Sequence, residues 1–101
     1  MINKEKLEKY FNDRNVNSIY KILPLYEESN ESLESYISSL LIELNGLEDC
    51  IDNEYHEFIT LIAVLSGIKK EVLKTDNKLI IKREVFKAIE ISKLLAIKVV
   101  D

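Results

Sequence analysis

The chain has 101 residues, 47% of them apolar and 32% charged, which is the profile of one folded domain with a modest core rather than of a disordered or multidomain protein. Two Gly and one Pro are too few to punctuate a many-stranded sandwich or barrel, so long helices with short connections are expected. A single Cys rules out an intrachain disulfide, and a formal net charge of −4 opposes unaided binding to nucleic acid.

The opening stretch "MINKEKLEKYFNDRN" is charged throughout and has no secretory apolar region. No apolar run elsewhere approaches the roughly 20 residues needed to cross a bilayer. A lone thiol also suits a reducing compartment. These features lead to an expectation of a cytoplasmic protein without membrane contact, and the Ile, Lys, Asn and Glu bias suits an AT-rich bacterium or its phage.

In chain order, Leu7, Tyr10 and Phe11 form one apolar face of a short amphipathic helix from Lys4 to Asn12. The "NDRN" that follows reads as a break, with Asn17 or Ser18 capping a second short helix that Pro24 kinks or ends. A third helix starts at "SNESLE", where Ser29 or Asn30 can cap and Glu31 and Glu34 sit in the first turn, favoured by the helix dipole. Its apolar positions Leu33, Ile37, Leu40, Leu44, Leu47 and Ile51 form a heptad-like seam that continues through Tyr55, Phe58, Ile62 and Leu65.

A single helix over residues 31–74 would be about 66 Å long. Asn45-Gly46 followed by Asp52 and Asn53 favours instead a break near 45 to 53 and two antiparallel helices. After "KTDNK", residues 79–100 carry a broad apolar stripe expected to be buried on more than one side, and a strand at "KLIIKREVF" is the minor alternative. The expected architecture is an all-α single domain over residues 1–101: an antiparallel helical bundle of three long helices preceded by one or two short ones. Its core is expected from Ile37, Leu40, Leu44, Phe58, Ile62, Leu65, Val85, Ile89, Leu95 and Val99.

Residues 43 to 58, "ELNGLEDCIDNEYHEF", hold six carboxylates, a glycine, the only Cys and the only His. On a continuous helix Glu48, Asp52 and His56 would share a face, but the paired Glu-x-x-His motifs of helical di-iron sites are missing. No metal and no cofactor is expected. Carboxylates around Cys50 disfavour its thiolate, so a Cys50–His56 nucleophile pair is a poor reading. There is no P-loop and no Gly-x-Ser-x-Gly elbow, so the chain is not expected to be an enzyme and no catalytic residue is assigned.

The distribution of charge is more informative. Residues 1–57 carry 5 basic and 13 acidic side chains, and residues 58–101 carry 9 and 5. No Lys or Arg occurs from Ile22 to Ile68, a stretch with ten carboxylates. The acidic middle can be neutralised internally by the basic last helix, or it can steer a basic partner onto the surface.

The function expected on the second view is an acidic, non-enzymatic module of the inhibitor or immunity type that covers a basic surface of a protein. Its contacts would be Glu48, Asp49, Asp52, Glu54 and Glu57, with Tyr55 as an aromatic anchor. One alternative is a helix-turn-helix-like DNA-binding regulator, because "IAVLSGIKKEVLKTDNK" places Ile62, Ala63, Gly67, Ile68 and Leu73 near that motif's positions and adds Lys69, Lys70, Lys74, Lys82 and Arg83. Val64 and Leu65 depart from the motif. The other alternative is a structural helical subunit that associates as a homodimer through the long seam.

Overall fold

The computed structural model describes residues 3–51, 55–74 and 76–100. Four rods run up, down, up and down within an envelope of 40 × 20 × 20 Å. The first rod, over residues 4–27, is assembled from α1 (Lys4–Lys9), a π-helical turn (Tyr10–Arg14), α2 (Asn15–Tyr20) and α3 (Ile22–Glu27). The other three are α4 (Leu33–Asn45), α5 (His56–Glu71) and α6 (Lys78–Lys98). The expected all-α bundle is thus observed, and no strand occurs among the described residues. No helix among them is long and apolar enough to cross a membrane.

The short N-terminal helices do not stand apart from the bundle. The "NDRN" expected to break the chain lies in the π-helical turn and the start of α2, where the Asn15 backbone N–H donates to the Tyr10 carbonyl five residues back. Asn17 and Ser18, the expected caps, are interior positions of α2. The reason is tertiary. Asn15 is fully buried, its Nδ2 donates to Ser92 Oγ on α6 at 2.8 Å, and Ser92 Oγ donates onward to the Phe11 carbonyl at 2.6 Å. A widened turn leaves a carbonyl short of its usual partner, and the serine of α6 supplies one.

Pro24 acts one turn before itself. It has no N–H for the Tyr20 carbonyl, so α2 ends at Tyr20, the chain turns at Lys21, and Pro24 sits in the first turn of α3. Ser29 stops α3 with a positive φ of 54°. The Asn30 N–H donates to the Leu25 carbonyl and the Ser29 N–H to that of Tyr26, the paired bonds of a Schellman motif. Asn30 Oδ1 then accepts from the Ser32 N–H at 2.8 Å, and α4 begins at Leu33 with Ser32 at its cap position.

The chain does break between α4 and α5. Gly46 keeps a right-handed φ of −66°, Glu48–Cys50 forms a 3-10 turn, and Ile51 is extended and buried, pinning the connection to the core. Tyr55 occupies the N-cap position of α5 without a side-chain bond, while Asp52 and Asn53, the expected caps, lie outside the described residues. "KLIIKREVF" is helical, started by Asn77 Oδ1 accepting from the Leu79 N–H.

Along one side α6 packs on α5, and along the other it packs on the first rod, while α4 bridges α3 and α5 at the opposite corner. Nine of the ten expected core residues are buried. Ile62 is half-exposed, because the inner line of α5 is Phe58, Leu61, Leu65 and Ile68. The core also takes in Leu7, Phe11, Ile19, Ile22 and Leu23 from the first rod.

Replacing Ser92 by Ala strands two buried polar groups, the Asn15 amide and the Phe11 carbonyl. Urea denaturation is expected to show a loss of about 2–3 kcal/mol. Ser29→Gly relieves a left-handed conformation that costs a non-glycine residue about 1–2 kcal/mol. Part of that relief is offset by the entropy of the glycine in the unfolded chain, so the same assay should show a gain of up to about 1 kcal/mol.

Candidate partner-binding surfaces

Three of the ten carboxylates of the basic-free stretch, Glu27, Glu43 and Glu57, pair with cations from outside the stretch: Lys78 Nζ at 3.0 Å, Arg14 Nε at 3.2 Å and Lys98 Nζ at 2.9 Å. Each pair joins neighbouring rods. Internal neutralisation therefore accounts for part of the segregation, although exposed pairs stabilise by only about 0–1 kcal/mol each.

Glu57, expected to face a partner, is one of these internal carboxylates. One of its oxygens is buried without a hydrogen bond, and the other receives the Lys98 ammonium. The hydrogen bond from Lys98, aided by the Glu57 backbone N–H, holds its carboxyl below the ordinary glutamate range. Tyr55 is half-buried and packs against the core, so its ring helps close that end of the bundle. Glu48 and Asp49 are exposed on the 3-10 turn and have no ion-pair partner among the described residues. Asp52 and Glu54 lie outside those residues.

Between Arg14 and Glu43, Tyr10 reinforces the contact of the first rod with α4. Burial, and then the Glu43 charge, push its phenol above its usual range. Tyr36 on α4 donates to the Ser18 carbonyl at 2.6 Å, fixing the same pair of rods one level higher.

The opposite end carries a second acidic surface. Glu27, Glu31, Glu34 and Asp76 line a cleft of about 550 Å³ with a single cation, Lys78, which is already bound to Glu27. Leu73 lies in it with 65% of its surface exposed. The run of Glu27, Glu28, Glu31 and Glu34 is visible in the sequence, but only the fold brings Asp76 and Leu73 beside it.

Glu48 and His56 do not share a helix face, because the chain leaves its helical path between them. Cys50 is a half-buried free thiol packed on the core. Among the described residues no three His, Cys, Asp or Glu side chains converge as a metal site.

The turn required by a helix-turn-helix at Gly67 is absent. Gly67 lies inside α5, which runs unbroken to Glu71, because Leu65 and Ile68 on either side of it are buried in the bundle. The basic residues are redistributed accordingly. Lys70, Lys74 and Arg83 line a furrow between α5 and α6 together with Lys87, a residue not singled out in the sequence, while Lys69 and Lys82 lie outside it.

No protein-family model matches this chain, and no curated protein or solved structure matches it either.

A depressed folded-state pKa at Glu57 means that its pair with Lys98 contributes stability above the ordinary glutamate pKa of about 4.3 and loses it as pH falls through the folded value. The difference in urea unfolding free energy between the parent and Lys98→Met should therefore be largest near neutrality. It should shrink toward zero on acidification below that range.

Proposed function

We propose that this protein is a small non-enzymatic binding module that masks a basic surface on a protein target, in the manner of an inhibitor or immunity protein of a bacterium or its phage. The observation that carries this reading is the contrast between paired and unpaired carboxylates. Glu27, Glu43 and Glu57 are paired within the fold, whereas Glu28, Glu31 and Glu34 at one end and Glu48 and Asp49 at the other have no ion-pair partner among the described residues. Carboxylates left in like-charged groups repel one another, although Glu34 in the first turn of α4 gains from the helix dipole. They do attract a basic surface from a distance and set its orientation on arrival.

Glu48 and Asp49 are the proposed contacts. They are exposed on the 3-10 turn directly before buried Ile51. Tyr55 and Glu57 are engaged within the fold instead, Tyr55 against the core and Glu57 with Lys98.

The test is capture of the tagged protein's partners from a bacterial lysate at low salt, run in parallel with Glu48→Lys/Asp49→Lys and Glu31→Lys/Glu34→Lys. A single basic protein retained by the parent is expected to be lost at least about tenfold with the first double variant, mainly through slower association. Retention of every partner by both variants would remove the basis of the proposal.

A further inference from the structure

Gly67 is the twelfth of sixteen residues in α5, an interior position where glycine costs about 1 kcal/mol relative to alanine. Such a residue ordinarily lets another backbone approach closely. Among the described residues nothing approaches here: apart from its own helical turn, no atom lies within 4 Å of where a Cβ on Gly67 would sit. Packing therefore gives no account of it. What the missing side chain does is keep the furrow between α5 and α6 open. Ala63, exposed one turn earlier, extends the same bare strip.

The furrow encloses about 710 Å³. Half-buried Val64 and Ile80 give it an apolar floor, and its rims carry Lys70 from α5, Lys74 from the turn after it, and Arg83 and Lys87 from α6. None of these four cations has an ion-pair partner among the described residues. From Thr60 to Glu71 the α5 side of the lining spans about 17 Å at 1.5 Å per residue, or about three helical turns.

We infer that this furrow docks an acidic amphipathic helix of a partner protein, its apolar side chains on the Ala63–Gly67 strip and its carboxylates on the four cations. The bare strip allows the close axial approach that helix packing requires. A nucleic-acid backbone suits the furrow less well. Glu71 and Glu84 interrupt the basic rims, the floor is apolar, and the chain carries a net charge of −4. This surface shares no residue with the acidic ends, so its fate in experiment is independent of theirs.

The full chain is titrated against a fluorescent helical peptide of about 18 residues, roughly five turns, with leucines on one face and glutamates flanking them. The same peptide with lysines in place of the glutamates and a DNA duplex serve as comparators, all followed by anisotropy. The acidic peptide is expected to bind tightest, more weakly at high salt, and at least about tenfold more weakly to Gly67→Leu and to Lys70→Glu/Arg83→Glu.

Gly67→Leu fills open space and improves helix propensity, so its unfolding free energy should be no lower than the parent's. A loss of binding by that variant then reports the furrow rather than misfolding. Failure of the acidic peptide to bind, equal affinity for Gly67→Leu, or tighter binding of the lysine peptide or the duplex would each overturn the inference.

Discussion

The polar chain from Asn15 through Ser92 to the Phe11 carbonyl sets the register of the whole bundle. It lies in an otherwise apolar core, where a misplaced polar group costs more than a misplaced methyl. Sliding the first rod along α6 by even one residue would part these groups and strand three of them. With that register fixed, Tyr20 meets Phe86 edge-on with ring centroids 6.3 Å apart, and Lys78 reaches Glu27. The level of the two ends of the bundle, and so of the surfaces they carry, follows from this one lock.

Charge is organised by position around that frame. Carboxylates of the middle of the chain meet cations from outside it, and each pair ties adjacent rods. In the cleft beside Glu27, Lys78 is the single cation among four acids, while between α5 and α6 four cations line an apolar furrow. An overall charge of −4 thus conceals two surfaces of opposite sign. A protein of this size can offer separate faces to a basic and to an acidic partner without either interfering with the core.

Much of the fold was legible in the sequence because it is written locally. The apolar spacing of α4, α5 and α6 and the cluster of turn-forming residues after Asn45 gave the last three rods and the break between the first two of them. The first rod is less legible, because four successive polar or charged residues in "NDRN" read as a break while Asn15 among them is buried in the bundle. Its hydrogen-bond partner is 77 residues away, and no local pattern announces it. Ile62 departs from the seam for a simpler reason: the apolar pattern of α4 does not keep its phase across the helix break, and Leu61 turns inward instead. The same limit applies to the surfaces. The acid-rich stretch was plain, but which acids are paired depended on Arg14, Lys78 and Lys98, and the furrow needed α6 to arrive beside Gly67.

The position of α6 bears on how the chain reaches its native state. It is the one helix that packs along both α5 and the full first rod, and the bonds from Ser92 to Asn15 and Phe11 close loops of 77 and 81 residues. The α5–α6 hairpin is local and closes at small entropic cost, whereas the first rod has its apolar line of Leu7, Phe11, Ile19 and Ile22 ready long before the surface that covers it exists. During synthesis those residues emerge before α6 does. The inner face of the first rod therefore waits, uncovered by its main partner, while the three following rods are made, the interval in which a chaperone or a neighbouring nascent chain competes with α6 for it.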